Sequence, residues 1–293
     1  MAGIDTHCHI HFNAYKNDMN EVIKRSLEKG IVMITVGTQI DTSRAAVEVA
    51  QNHEGIWATV GLHPHHTYEH TFWDDEEIPE KQNIKSRAEV FSFEVYKALC
   101  ENQKCVGVGE CGLDYSSLPE NGKDRESVIE LQKQAFRAQL KLADEMNLPI
   151  ILHSRDAHED TLENIKEFIN EDKLQKRGVA HCFTGTQNEA ENFLNLGFMI
   201  SVTGILTFKA RKDDRDKEGL SSLQRLVRDL PIERLMIETD APYLAPDPYR
   251  GKRCEPWMVE YVGQKLAELK KMPVDEVIRI TNENARKFFQ IEF

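Results

Sequence analysis

The sequence lacks any long apolar run. No stretch approaches the roughly 20 apolar residues that cross a membrane, and the first residues carry histidines where a secretory signal would need an apolar segment. Positive charge is also scarce, since 37 Lys and Arg face 49 Asp and Glu, for a formal charge of −12. That balance argues against broad electrostatic adhesion to nucleic acid or anionic lipid. We expect a cytoplasmic protein with no membrane partner and no evident obligate protein partner, which would hold any nucleic acid locally.

Closely paired cysteines are absent as well. The six cysteines, at positions 8, 100, 105, 111, 182 and 254, include no Cys-x-x-Cys spacing, which argues against a zinc ribbon. In a chain of this size we expect reduced thiols. Cys8, Cys111 and Cys182 flank the candidate site described below, so a sulfur ligand is an alternative there. Cys8 is expected to point away from that site, because neighbouring residues of a strand face opposite sides.

What the sequence does have is a regular alternation of apolar and helical segments. After an opening strand near residues 3–10, apolar runs occupy 31–36, 56–60, 105–109, 149–152, 178–180, 198–202 and 235–237. Amphipathic segments separate these runs, and helices are predicted at 256–271 and 274–289. Continuous apolar strands between helices are typical of a parallel sheet. Eight such units predict an α/β fold, a closed (β/α)₈ TIM barrel, as a single domain over residues 1–293.

Two segments are longer than a barrel needs, at about 65–89 and 206–219. The first is acidic at Asp74, Asp75, Glu76 and Glu77, and the second alternates in charge. Insertions of this kind usually form exposed loops, which is the interpretation we favour over a specific binding role.

Nearly every residue with metal-binding chemistry stands at the carboxyl end of an apolar run. These residues are five histidines and two carboxylates: His7, His9, His63, Glu110, His153, His181 and Asp240. In a parallel barrel such strand ends converge on one face, where active sites lie. One histidine alone would more often be structural, but this set predicts a metal site. It exceeds the needs of one ion, so we predict two divalent ions, with Mg²⁺, Mn²⁺ and Zn²⁺ left open.

The same residues belong to six motifs that run along the chain in order. They are DTHCH at 5–9, GLHPH at 61–65, GECGLDY at 109–115, LHSRDA at 152–157, HCFTG at 181–185 and ETDAPYL at 238–244. Together they resemble the TatD family of metal-dependent hydrolases, within the amidohydrolase-like barrels. The resemblance implies a metal-dependent deoxyribonuclease, often one that acts from the 3′ end of single strands.

The resemblance also implies roles for particular residues. The implied ligands form two sets that share one carboxylate: His7, His9, Glu110 and Asp240 for one ion, and Glu110, His153 and His181 for the other. Asp5 and Glu238 are expected behind the ligands, where acceptors orient histidine rings. His63 is assigned to substrate phosphate or to a place behind the ligands, with a hydrogen bond that shapes the Pro64 turn as the alternative.

Three arginines are expected to neutralise phosphate oxygens: Arg155, Arg250 and Arg253. The planar guanidinium matches a phosphate well. For Arg155 the alternative is an ion pair with Asp156 or Glu238, because exposed ion pairs are common and contribute little.

These assignments predict a hydrolase in which a water activated by two ions attacks phosphorus in line. Asp240 would orient or deprotonate that water, and Glu110 would bridge the ions. The predicted substrate is single-stranded DNA or a short oligonucleotide, digested in the 3′–5′ direction. The alternatives are a hydrolase of a small ester, lactone, amide or phosphoester on the same centre, and a non-enzymatic protein with closed metal coordination.

Overall fold

Eight parallel strands form the central sheet of the protein. The computed structural model describes residues 3–73 and 83–292. In spatial order the strands of this sheet are β1 (Gly3–Cys8), β2 (Ile31–Val36), β3 (Ile56–Val60), β6 (Cys105–Asp114), β7 (Ile150–Arg155), β8 (Gly178–Ala180), β9 (Met199–Val202) and β10 (Leu235–Ile237). Spatial order follows chain order, which is the arrangement that the alternating apolar runs predict.

The sheet curves into a nearly closed barrel whose first and last strands approach each other. Just past the last strand, the backbone N–H of Asp240 donates to the carbonyl of His7 at 2.8 Å, and the N–H of His9 donates to the carbonyl of Ala241 at 2.6 Å. Cys8 and Ala241 form a parallel bridge. The predicted TIM barrel is therefore confirmed, and its closing contacts involve the residues that carry the candidate chemistry.

Helices connect the strands and cover the outside of the barrel. They are α1 (Met19–Glu28), α2 (Ile40–Asn52), α3 (Phe93–Cys100), α4 (Gly122–Met146), α5 (His158–Asn170), α6 (Gln187–Asn195), α7 (Ser222–Asp229), α8 (Val259–Lys270) and α9 (Val274–Phe289). Within the described ranges, none of these helices combines the length and the apolar character needed to cross a bilayer.

The structure differs from the sequence-based expectation in three places. Helix α3 was not predicted; its eight residues follow the 65–89 segment that was interpreted as a loop. Two short strands, β4 (Thr71–Trp73) and β5 (Asn83–Lys85), pair antiparallel within the 65–89 insertion; the acidic residues predicted there, Asp74 to Glu77, lie outside the described residues. Strand β6 continues to Asp114 instead of ending at 109, because its second half pairs with β7.

The candidate site lies one layer above an apolar floor. Ile151, Val179 and Met236 belong to one buried cluster, which also receives Phe289 and Ile291 from the C-terminal segment. Side chains two positions apart on a strand point to the same face. The residues two positions farther along from the first three are His153, His181 and Glu238. The strands therefore place polar chemistry directly beyond a packed apolar layer.

Candidate metal centre

Strand β1 delivers two histidines to the carboxyl end of the barrel. Its register against β2 shifts between Asp5 and Cys8, and the Nε2 atoms of His7 and His9 lie 3.2 Å apart. The outer nitrogen of His9, Nδ1, lies 2.7 Å from the carbonyl oxygen of Val36. A carbonyl only accepts, so Nδ1 of His9 donates and Nε2 presents its lone pair inward. Cys8 lies on the other face, as expected, with its sulfur 3.5 Å from the carbonyl of Ile34.

Asp240 completes the group around these two histidines. It follows strand β10 with φ +63°, and its Oδ1 lies 3.3 Å from Nε2 of His9 and 3.7 Å from Nε2 of His7. Its neighbour Thr239 is anchored by Asp5, whose carboxylate accepts from the Thr239 N–H at 2.8 Å and from its hydroxyl at 2.5 Å. Asp5 thus acts on the backbone beside Asp240; it also lies 3.4 Å from the N–H of His7, not against either ring.

Glu110 is the carboxylate that faces both groups of histidines. The register between β6 and β7 shifts between Val108 and Cys111, around Glu110. Gly109 has φ +143°, and a Cβ there would lie 2.3 Å from the carbonyl oxygen of Ile151, so only glycine fits this approach. Glu110 therefore lies within a bulged strand and not at the strand end that the sequence predicted. The bulge aims its carboxylate inward.

The two oxygens of Glu110 have different neighbours. Oε2 lies 3.4 Å from Nε2 of His7 and 3.9 Å from Nε2 of His9. Oε1 lies 2.8 Å from Nδ1 of His153 and 3.7 Å from Nε2 of His181. One carboxylate therefore spans the two predicted ligand sets, which is the arrangement that a bridging ligand requires.

His181 faces the buried Glu238, one of the two carboxylates expected behind the ligands. Nδ1 of His181 lies 2.8 Å from Oε1 of Glu238, and the same carboxylate oxygen accepts from the N–H of Cys182 at 2.7 Å. The ring of His181 stacks on that of His7 with centroids 3.6 Å apart. Its Nε2 is left facing Glu110, and also Asp240 at 3.9 Å.

Without a metal ion, protons on histidines balance the negative charge of the carboxylates in the site. Burial lowers the pKa of His181, but the charges of Glu238 and Glu110 outweigh burial and raise that pKa to about 10. Burial likewise lowers the pKa of His153, and hydrogen bonds to Asp114 and Glu110 raise it to about 9. Burial would raise the pKa of Glu110, yet facing histidines hold it well below its usual range. Divalent cations would replace these protons as the positive charge.

The donors present fit divalent metal ions. Within the described part of the chain, four groups bring one possible ligand atom from each of three residues within 4.8 Å of one another: His7, His9 and Asp240; His7, Glu110 and His181; His63, Glu110 and His153; His181, Cys182 and Asp240. Imidazole nitrogens with carboxylate oxygens suit zinc and manganese, and magnesium less well by donor type. The structure thus brings all six predicted ligands into one cluster.

His63 makes the turn contact that the sequence left as an alternative, and it also lies beside Glu110. Its Nδ1 accepts from the N–H of His65 at 3.2 Å and so shapes the turn at Pro64. Its Nε2 lies 3.5 Å from Oε1 of Glu110. The assignment to substrate phosphate stays a prediction, but the ring does border the cluster.

The three predicted phosphate-binding arginines have different surroundings. Arg155 is exposed, and neither Asp156 nor Glu238 pairs with it among the described residues. The exposed Arg250 lies with its guanidinium 4.2 Å from the ring centroid of Phe208. Arg253 is different, because its guanidinium binds both oxygens of Asp18 at 2.8 and 2.6 Å. Any phosphate that binds Arg253 must compete with this carboxylate.

Three residues beside the cluster were not assigned from the sequence. Asp114 lies 2.9 Å from Nε2 of His153, and His65 lies 3.2 Å from the same carboxylate oxygen. The sulfur of Cys182 falls within ligand range of His181 and Asp240, which gives a geometric basis to the sulfur alternative. Asp114 and His65 both belong to motifs identified above, but only the fold shows what they contact.

A parallel eight-stranded barrel with histidines and carboxylates gathered at its strand ends defines a metal-dependent hydrolase barrel. Residues 4–290 match the model of the family described as TatD related DNase. The chain belongs to this family and is a TatD-family metal-dependent hydrolase.

Individual relatives agree with that membership. The uncharacterized metal-dependent hydrolase YabD of Bacillus subtilis is 37% identical over 288 residues, with 98% of each chain covered. The 3′-5′ ssDNA/RNA exonuclease TatD of Erwinia tasmaniensis is 35% identical, with 94% of this chain and 95% of that protein covered. Among solved structures, the TatD homologue YJJV of Escherichia coli superposes with a TM-score of 0.78 at 29% identity, covering 99% of this chain and 98% of its own.

Proposed function

We propose that this hydrolase is a phosphodiesterase that removes nucleotides from the 3′ end of single-stranded DNA or short oligonucleotides. The observation that carries the proposal is the position of Glu110, with one oxygen toward His7 and the other toward His153. Such a bridge suits a pair of ions acting on one displacement at phosphorus. The Erwinia relative, named an exonuclease on single-stranded DNA and RNA, supports the choice of substrate.

We propose two divalent ions, which would be Mg²⁺, Mn²⁺ or Zn²⁺. The residues that would hold them are those whose inward atoms face the cluster: His7, His9, Glu110 and Asp240 for one ion, and Glu110, His153 and His181 for the other. When bound, such ions would lower the pKa of a water and offset charge on phosphate oxygens.

Asp240 is suited to the proton transfer. Its side chain is 15% exposed, against 6% for Glu110, so of the two ligand carboxylates it is the one nearer the opening. Its backbone is fixed by the hydrogen bond to His7 and by the Asp5–Thr239 contacts beside it. A carboxylate held so rigidly at the mouth can orient an attacking water and accept its proton.

A polyanionic substrate on a chain of charge −12 needs local cations. Segment 209–217, beyond strand β9, has five exposed cationic side chains that form no ion pair within the described ranges: Lys209, Arg211, Lys212, Arg215 and Lys217. Two acids of the same segment are engaged in capping the loop and helix α7, since Asp214 accepts from the N–H of Ser222 at 3.0 Å and Asp216 from that of Leu220 at 2.8 Å.

This cationic segment lies at the same end of the barrel as the metal centre. The loop after β10 contacts the chain just before this segment, because the N–H of Asp247 donates to the hydroxyl of Thr207 at 2.9 Å. Arg250, stacked on Phe208, stands at this junction. The arrangement favours a strand of nucleic acid over a small neutral ester, and it supports local binding in spite of the overall charge.

The test is a comparison of substrates on one preparation. We expect a single-stranded oligonucleotide with a 5′ label to shorten stepwise in the presence of Mg²⁺, Mn²⁺ or Zn²⁺, and a 3′ label to be released at once. Small phosphodiesters, esters, lactones and amides serve as the competing panel. Faster turnover of a small ester, lactone or amide than of the oligonucleotide would contradict the proposal. Nuclease activity that survives complete chelation would show a contaminant.

A further inference from the structure

A buried carboxylate outside the predicted ligand set faces the metal centre from behind. Asp114 is 1% exposed. Its Oδ2 lies 2.9 Å from Nε2 of His153 and 3.2 Å from Nε2 of His65. Its Oδ1 accepts from the N–H of Ser116 at 2.9 Å and from the Ser116 hydroxyl at 2.6 Å. Both oxygens are thus occupied by protein groups, and one is directed at a predicted metal ligand.

The position of Asp114 is fixed independently of His153. Gln132, fully buried on helix α4, accepts from the N–H of Asp114 at 2.9 Å and donates to its carbonyl at 2.9 Å. Strand pairing also fixes Asp114 relative to His153. Gly112 pairs with His153, and Asp114 pairs with Arg155. The position of the Asp114 carboxylate therefore does not depend on its contact with His153.

The chemistry of this contact determines which nitrogen of His153 faces the cluster. An ionised carboxylate only accepts hydrogen bonds, so Nε2 of His153 must donate to Asp114. In a neutral ring the lone pair then belongs to Nδ1, which lies 2.8 Å from Oε1 of Glu110. Two other predicted ligands are anchored in the same manner through an outer nitrogen, His9 by a backbone carbonyl and His181 by Glu238.

We propose that Asp114 is a positioning residue that holds His153 with Nδ1 directed toward the metal site. Nε2 of His65, on the loop after β3, lies 3.2 Å from the same oxygen. Acceptors in this position set ring orientation and raise the basicity of the coordinating nitrogen. The inference rests on the metal dependence proposed above, and the experiments below separate the two.

The first experiment is a calorimetric titration of the full chain with Zn²⁺. In Asp114→Ala we expect the affinity for one ion to fall by roughly 10- to 100-fold, the usual cost of losing such an acceptor, while the other ion binds as in the wild type. Ser116→Ala is the matched control, because it removes a partner of Oδ1 and leaves the contact of Oδ2 with His153. Thermal unfolding of each variant reports whether the fold is kept.

The outcomes are distinct. A wild-type chain that binds two ions, together with an Asp114→Ala chain that binds both with unchanged affinity, would overturn the role of Asp114 and leave the metal function standing. A wild-type chain that binds no Zn²⁺ would overturn the metal function and this inference with it. An equal loss for both ions in a folded Asp114→Ala chain would also count against a specific effect on His153.

The second experiment does not use Asp114→Ala and so decides the matter if that chain fails to fold. In the Zn²⁺-loaded wild-type protein, nitrogen-15 spectra of the histidine side chains should show His153 with a proton on Nε2 and none on Nδ1. Assignment uses a His153→Gln chain, in which that signal is lost. A ring protonated on Nδ1 would overturn the proposal.

Discussion

The two halves of the metal centre are held by different kinds of contact. In the half built from His7, His9 and Asp240, the anchoring partners are mainly backbone groups: the carbonyl of Val36 holds one ring, and the carbonyl of His7 accepts from the N–H of Asp240. In the half built from His153 and His181, the partners are the carboxylates of Asp114 and Glu238.

Exposure does not divide the two halves in the same way, because Asp240 of the first half is 15% exposed and His181 of the second half is 4% exposed. The side chains of His7 and His9 are 0% and 3% exposed, whereas that of His153 is 17% exposed. Backbone contacts at the seam of the barrel cannot change without opening the sheet, so the first half is part of the fold. The second half depends on ionisable side chains. We infer that the first ion position is the more rigid, and that the second responds more to substitution and to pH.

The largest expected effect tests whether the rigid half also carries the proton transfer. Asp240→Asn should lower kcat by about 10²- to 10⁴-fold, the range for losing a general base, with a much smaller change in KM. Steady-state kinetics with added metal measure both. Asp156→Asn is the control, since Asp156 is exposed with φ +53° and asparagine tolerates that conformation. Near-normal turnover of Asp240→Asn would assign the proton transfer elsewhere.

A second effect breaks one half at a time. His153→Gln should lower the affinity for the second ion, the one assigned to His153 and His181, by more than the roughly 10- to 100-fold that follows loss of an outer acceptor. The affinity for the first ion should stay at its wild-type value. His9→Gln should show the reverse. Ion content after dialysis, measured with calorimetric affinities, distinguishes the two variants. If each variant lost both ions to the same extent, the halves would not be separable.

The third effect is a difference in pH dependence. With the pKa of His153 at about 9 and that of His181 at about 10, both rings are protonated at neutral pH in the ion-free protein. Each must release a proton to coordinate, so affinity for the second ion should fall as pH is lowered below 9, by about tenfold per unit for each proton displaced. Burial and the nearby His181 lower the pKa of His7, which therefore needs no such release.

That difference can be measured by titrations at several pH values in buffers of different ionisation enthalpy. We expect more protons released by the second ion than by the first. Burial lowers the pKa of His9, but the contact with Asp240 raises it overall, so the first ion should displace at most one proton, from His9. Equal proton release for the two ions would remove the distinction between the halves.

The smallest effect concerns the arginines around the centre. Arg250→Ala should raise KM for an oligonucleotide a few-fold and reduce the salt slope of binding by about 0.7, the value for one phosphate contact on a single strand. Arg253→Ala should leave both nearly unchanged and lower the free energy of unfolding by at most about 1 kcal/mol, because a partly exposed ion pair contributes little. A larger change in KM for Arg253→Ala than for Arg250→Ala would reverse these assignments.

Much of the fold was predictable because apolar runs bounded by polar residues have few alternatives. The predicted runs 31–36, 56–60, 178–180 and 235–237 coincide with observed strands. Strand β6 was predicted too short, because a polar Glu110 beside glycines is typical of a strand end. Here the chain instead passes through a bulge and pairs again with β7. Pairing across the sheet outweighed the local pattern.

Within the site, the sequence identified the residues that carry the chemistry, since their positions after apolar runs place them on one face of a barrel. It could not identify their partners. Asp114 and His153 are 39 residues apart in sequence, and Asp18 and Arg253 are 235 apart. Asp114 contacts the predicted ligand His153, although the motif alone gave Asp114 no role. Asp18 binds Arg253, which the sequence had assigned to substrate phosphate.

The sequence by itself determined the order of the strands, the ligand types and the negative net charge, because each depends on residue identity and short-range pattern. Only the tertiary structure decided which nitrogen of each histidine faces inward, since that choice depends on an acceptor behind the ring. Val36, Asp114 and Glu238 supply such acceptors from other parts of the chain. A hydrogen bond fixes a ring only when both groups are within about 3 Å, and that proximity is a property of the closed barrel.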